Sequence, residues 1–339
     1  MREVGPLLLQ ITYYGDSYIS NGTLGLSLES AINMKITRRS TSLLILFNYF
    51  AMVLIWGSFP VAAKIGVEHA PPLLLSGVRF SLAFAIMAPL ALLQRNKLLI
   101  ARKQHLNVFL ISLLMVALPS SIFFISTQYA PVGVLTIMWS VTPIFTALFT
   151  MRDAGEVHGW KLIVSLALGL LGALIVLLGH LPFLPDSTTS PQLFSGGGPA
   201  LIAELAVLGS AVIYGFGIRL AKHSSPEMPV MVLTTWQLFY CGVFLLTLAF
   251  VFERGYVFHP TLTTFGALFY LTIFCSCISF FLTFWLIRRI GAIRTAYADF
   301  IIPGVTLILS NFLLGESLTF TKIVGLALVI LGVILVEMT

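Results

Sequence analysis

For its first 43 positions the chain mixes polar and apolar residues without a long apolar run. Ten apolar runs then follow, at roughly 44–66, 72–93, 107–127, 131–151, 160–180, 200–220, 229–252, 262–287, 292–314 and 318–337. About 20 apolar residues make a helix long enough to cross the hydrocarbon core of a bilayer. The pattern therefore predicts an all-α polytopic membrane protein with ten transmembrane helices. Two of the polar breaks are very short, at Ala130-Pro131 and at Gly315-Glu316. Proline in the first, and the Gly-Glu step followed by Ser317 and Thr319 in the second, predict turns there.

Composition changes this picture only by hardening it. Of 339 residues, 58% are hydrophobic and 9% charged, and the mean hydropathy is +1.00. A soluble domain carries about 25% charged residues, so folding in water is excluded. The net charge of +6 comes from cations that punctuate the apolar runs and form no continuous patch, which argues against a nucleic-acid partner. The partners expected are the lipid bilayer and a small-molecule substrate. A homodimer is left open.

The distribution of Lys and Arg orients the chain, because cytoplasmic loops collect them. Arg38 and Arg39 precede the first run, and Arg95, Lys97, Arg102 and Lys103 join the second to the third. Arg152, Lys161, Arg219, Lys222, Arg288, Arg289 and Arg294 fall on the same side; with Arg2 and Lys35 that face gathers 15 of the 19 basic residues. Only Lys64, Arg254 and Lys322 fall opposite, and Arg79 lies within a run. Both termini are expected in the cytoplasm, the chain being a multi-pass protein of a cell membrane, a bacterial inner membrane. Residues 1–33 read as a disordered tail or as lying ahead of a natural start at Met34.

An internal repeat organises the rest. Ile55 to Lys64 reads IWGSFPVAAK and Ile213 to Lys222 reads IYGFGIRLAK, so that at an offset of 158 Trp56 pairs with Tyr214, Gly57 with Gly215 and Arg79 with Gln237. Pro143 and Pro303 are each followed twelve residues later by Gly-Glu (Glu156 and Glu316), and Gly172 and Gly332 keep that offset of 160. Each unit holds five runs, an odd number, so the second must enter the membrane from the opposite face. The expected organisation is a cytoplasmic tail (1–43), a first five-helix repeat (44–180), an external linker (181–199) and an inverted second repeat (200–337). Inverted repeats are characteristic of secondary transporters, whose site lies near the midplane between the halves.

On these residues the sequence resembles the drug/metabolite transporter superfamily in its EamA-type, ten-helix branch. The resemblance rests on WGSFPVAAK in the first run, the Arg79-Phe80 pair, the two Pro-x11-Gly-Glu stretches, and the Gly-rich final helices KLIVSLALGLLGALIVLLG and TKIVGLALVILGVILV. It covers residues 44–337. The loop MRDAGEVHG is more highly charged than the family pattern, and Asp299 stands where such helices are more usually apolar. The resemblance implies export of amino acids, metabolites or drugs, driven by an ion gradient or by exchange.

Ionisable residues within membrane helices are costly and so mark candidate sites. Asp299 is the sharpest: Pro303, four residues on, cannot bond its carbonyl, so a carboxylate and a free carbonyl are offered together to an ammonium group or a proton. The competing reading pairs Asp299 with Arg294. Pro60 and Pro143 free the carbonyls of Trp56 and Trp139 in the same way, making Pro60, Pro143 and Pro303 candidate hinges. Trp56, Trp139 and Tyr214 are candidate aromatic walls around a cation, although buried aromatics also pack helices together. Arg79 fits a substrate carboxylate, or else snorkels outward or pairs with Glu68. Gln237 is a candidate for polar lining.

Enzyme chemistry finds no footing. The six histidines fall in loops or at the ends of runs, the three cysteines (Cys241, Cys275 and Cys277) give no disulfide or metal framework, and no HExxH, GxSxG or Walker segment is present. No cofactor or metal is expected. A phosphosugar or nucleotide-sugar exchanger, which needs several deep cations, and a scaffold or lipid-handling protein on the same fold are the alternatives.

Overall fold

In lipid each backbone N–H and C=O must find a partner within the protein, and a continuous helix supplies them all locally. The computed structural model describes residues 28–93, 98–150, 160–178, 197–224, 228–255, 261–291, 295 and 298–337, and among them it is helical with no strand. Residues 1–27, the Glu156 loop, most of the 181–199 linker and Arg294 lie outside the described residues. The chain divides into residues 1–44 and residues 45–339, and the described part of the former, 28–44, is helical.

The helices are α1 (Leu28–Val67), α2 (Pro72–Leu93), α3 (Arg102–Ser126), α4 (Val132–Trp139), α5 (Thr142–Thr150), α6 (Trp160–Leu178), α7 (Gly197–Ser224), α8 (Val230–Phe252), α9 (Leu262–Ile290), α10 (Ala298–Leu314) and α11 (Phe320–Glu337). Six are long and apolar enough to cross a membrane: the Leu43–Val67 part of α1, α2, α3, the Gly198–Ala221 part of α7, α8 and α9. Four shorter apolar stretches, Val132–Thr146, Ala167–Val176, Ile301–Leu314 and Phe320–Gly332, fall within the remaining predicted runs.

Hydroxyl side chains add a second layer of backbone satisfaction, as when Ser112 donates to the Val108 carbonyl at 2.6 Å and Thr235 to that of Met231 at 2.7 Å. The three candidate hinges behave differently. Pro60 and Pro303 sit inside continuous helices, whereas Pro143 follows the break between α4 and α5. There the carbonyl of Trp139 accepts from the Thr142 hydroxyl at 2.5 Å.

Two π-helical turns interrupt α3 (Leu113–Ala117) and α9 (Ile273–Ile278), beginning 160 residues apart. In α3 the turn is followed by Pro119, which has no N–H to give the Met115 carbonyl. In α9 the corresponding Ser279 donates its hydroxyl to the Cys275 carbonyl at 2.6 Å. Two glycines allow close crossings around the centre. A β-carbon on Gly57 would lie 2.6 Å from Val305 of α10, and one on Gly215 would lie 3.0 Å from the Thr146 nitrogen and 3.1 Å from Phe145 of α5. The longest seams run between α2 and α8 and between α6 and α11.

Two helix starts are closed by carboxylates from elsewhere in the chain. Glu253 accepts from the Leu73 and Leu74 N–H groups, both at 2.8 Å, and Glu316 accepts from those of Val132 at 2.7 Å and Gly133 at 3.1 Å. Each thus satisfies two donors that a helix leaves unpaired at its N-terminus, where negative charge is also favoured by the helix dipole. Lys64 Nζ donates to the Thr127 carbonyl, tying the end of α1 to that of α3.

Candidate functional site

Trp56 stands where three hydrophobic clusters meet. Its ring meets Phe59 and Phe280 edge-on at 5.6 and 5.2 Å, and its indole N–H donates to Thr283 at 3.4 Å. A cavity opens beside it, with about 860 Å³ of empty space when its open side is included. Trp56 is thus both a packing residue and a wall, so its two sequence readings are not exclusive.

The cavity draws on six helices and brings together four of the six candidate binding residues. Trp56 and Pro60 come from α1, Trp139 from the end of α4, Tyr214 from α7 and Asp299 from α10. Trp139 and Tyr214 meet edge-to-face at 5.0 Å. Asp299 has no ion-pair partner among the described residues. The rest of the wall is mostly apolar, with the hydroxyls of Ser120, Thr136, Thr283 and Thr295 spaced round it. This composition, a broad apolar surface with a few placed polar groups, is that of a small-molecule site.

Arg79 and Gln237 do not line the cavity. Arg79 is 1% exposed, so it does not snorkel, and Glu68 is exposed in the turn after α1. Its guanidinium carbon lies 5.0, 4.2 and 4.8 Å from the ring centres of Phe59, Phe80 and Phe124. Nη2 donates to Ser120 at 3.4 Å, while Nε and Nη1 have no partner among the described residues. Ser120 lines the cavity, so Arg79 sits one hydrogen bond behind its wall. Gln237 is fully buried, and neither of its amide atoms has a partner among the described residues. Pro143 and Pro303 are likewise absent from the wall.

Sequence reasoning missed the four hydroxyl residues and the contribution of α3 and α9. A Ser or Thr inside an apolar run is as often a partner for its own helix, as Thr136 is for the Val132 carbonyl at 2.7 Å. Pro119 was the one available signal in α3. Among the described residues no group of His, Cys, Asp and Glu is arranged to hold a metal ion.

The family model described as "EamA-like transporter family" matches residues 43–178 and again 201–338, so the chain carries the module twice. Among curated relatives, the uncharacterized inner membrane transporter YedA of Escherichia coli (strain K12) is 30% identical over 88% of this chain and 93% of its own. The uncharacterized transporter YoaV of Bacillus subtilis (strain 168) is 25% identical over 85% of this chain and 95% of its own. A protein of known crystal structure shares the fold with a TM-score of 0.60 at 18% identity, covering 87% of this chain and 96% of its own. Two matched modules, and relatives alike over nearly their whole length, make this chain a multi-pass membrane transporter rather than an enzyme, and a member of the EamA-like transporter family.

Proposed function

We propose that the chain is a secondary transporter that moves small solutes bearing an ammonium group, amino acids or amphiphilic metabolites, outward through this cavity by alternating access. The observation that carries the proposal is the meeting of one carboxylate, Asp299, with three aromatic walls, Trp56, Trp139 and Tyr214, in a single cavity. A carboxylate beside ring faces suits an organic cation better than an anion. Among the described residues no Lys or Arg lines the wall, which argues against phosphosugar or nucleotide-sugar cargo.

In this reading ten helices form two inverted five-helix repeats with both termini in the cytoplasm. Three features at the repeat offset support it: the twice-matched family module, the two π turns, and the pair of glycine crossings. The halves rock about the cavity, with Pro60, Pro143 and Pro303 as flexing points. Transport is coupled to an ion gradient or to exchange, and Asp299 holds the ammonium group or a proton in alternation.

The test is flux in proteoliposomes loaded with a mixed amino-acid pool under a pH gradient, comparing wild type with Asp299→Asn. Gradient-dependent flux in the wild type that disappears in the variant is expected. Equal flux in both removes Asp299 from the mechanism, and no wild-type flux with any amino acid removes this substrate class.

A further inference from the structure

A second, shallower groove lies where the start of α3 meets α8. It holds about 990 Å³, open side included, and is lined by Arg102, Lys103, His105, Leu106, Phe109 and Tyr240. Arg102 and Lys103 occupy the first turn of α3 and are exposed. Among the described residues neither has an ion-pair partner and no acidic side chain lines the groove. The cations therefore form the upper rim and the aromatics the floor.

Hydrogen bonds and ring contacts tie that floor together. His105 Nδ1 and the Tyr240 hydroxyl share a hydrogen bond of 2.8 Å, and the His105 ring meets Trp236 edge-on at 4.6 Å. Trp236 Nε1 donates to the Leu98 carbonyl at 2.9 Å, and Phe109 meets Tyr240 edge-on at 5.5 Å. Leu106, one turn into α3, is 58% exposed. The 25 residues of α3, at about 1.5 Å each, exceed a hydrocarbon core of about 30 Å, so in a bilayer its first turn would reach headgroup level and its second and third the top of the acyl chains. Aromatic residues concentrate at that level too.

We propose that this groove is a binding site for an anionic phospholipid. Its phosphate would sit between Arg102 and Lys103, and its upper acyl chain would run over Leu106, Phe109 and Tyr240. Basic pockets between membrane helices recognise acidic headgroups. Free inorganic phosphate would use the rim and leave the apolar floor exposed, so the floor selects the lipid.

The experiment is lipid retention by the purified full-length protein, measured by native mass spectrometry with phosphatidylglycerol and phosphatidylcholine in turn. Wild type is expected to retain phosphatidylglycerol selectively. Arg102→Gln/Lys103→Gln should lower that retention about 30-fold, given the usual worth of two interfacial cations. Arg254→Gln, which removes an exposed cation outside the groove, should leave it unchanged. Equal retention of both lipids by wild type overturns the proposal. So does a loss in Arg254→Gln that matches the double variant, since the effect would then be one of net charge.

Discussion

Asp299 and Arg79 each place a charged group inside an apolar helix, yet their surroundings differ in kind. Asp299 looks into a cavity with room for a ligand, among rings that could face a cation. Arg79 already has its rings: three phenylalanine ring centres lie within 5.0 Å of the guanidinium carbon, and a single serine accepts a hydrogen bond from it. Burial alone therefore does not mark a transport residue. What separates the two is whether the space beside the charge is empty or filled with side chains. In the proposed mechanism that makes Asp299 the residue that exchanges partners and Arg79 the one that keeps its own.

The largest expected effect tests the first half of that contrast. Asp299→Asn keeps the volume of the side chain and removes its charge. Losing one member of a buried charge pair typically costs about 2–5 kcal/mol, so substrate affinity and coupled flux should fall at least about 30-fold. The thermal midpoint in detergent should hardly move, because no described residue depends on Asp299 for an ion pair. A variant that unfolds early while transporting normally would make Asp299 the structural charge of the two.

Arg79→Met should do the reverse. The substitution preserves bulk but gives up three cation–π contacts, each worth about 0.5–2 kcal/mol, and this loss is partly offset by relief from burying a charge. A net destabilisation of about 1–2 kcal/mol is expected by thermal unfolding, with flux per folded molecule within about twofold of wild type. Loss of flux at unchanged stability would place Arg79 with Asp299.

Much of this arrangement is legible in the sequence. Apolar runs locate the helices, because the bilayer leaves the backbone few other solutions. The offsets of 158 and 160 pick out Trp56 with Tyr214 and Trp139 with Asp299, four residues that the fold gathers round one space. What a linear reading cannot supply is direction around a helix that is apolar on every side. Arg79 and Gln237 occupy matched positions in the repeat, and both turn away from the cavity into packed surroundings. The π turns at Leu113–Ala117 and Ile273–Ile278 shift the helical register by a residue. Met115 and Val116, inside the first of these turns, line the wall, and nothing in the apolar pattern marks them. Ser120 and Thr283 escaped notice for a related reason, since a hydroxyl in an apolar run signals nothing about which neighbour it meets.

A smaller effect sharpens what Asp299 requires of its neighbours. Trp139→Leu keeps an apolar wall but removes the ring that faces Tyr214 and closes α4. Loss of one cation–π face in a partly desolvated site is worth about 1 kcal/mol, so apparent affinity for a cationic substrate should fall about fivefold. Affinity for a neutral analogue of the same size should stay the same. Equal losses for both would reduce Trp139 to a packing residue and leave Trp56 and Tyr214 as the rings that act beside Asp299.

The smallest effect lies at the one point where the two charges come near a common surface. Ser120 lines the cavity, and its hydroxyl is the only described hydrogen-bond acceptor for Arg79. Ser120→Ala removes an acceptor from a buried charged donor, which costs about 1–3 kcal/mol when nothing replaces it. The length of this bond, 3.4 Å, places the loss at the low end, about 1 kcal/mol, seen as a lower thermal midpoint with flux reduced less than threefold. Combining it with Arg79→Met should then cost no more stability than Arg79→Met alone, because the serine has lost the group it serves, and such non-additivity identifies the pair as one unit. If Ser120→Ala instead cuts flux of carboxylate-bearing substrates as deeply as Asp299→Asn does, while sparing substrates without a carboxylate, the serine is relaying the guanidinium to the cargo. Arg79 would then be the second pole of a zwitterion site, held one hydrogen bond back from the wall.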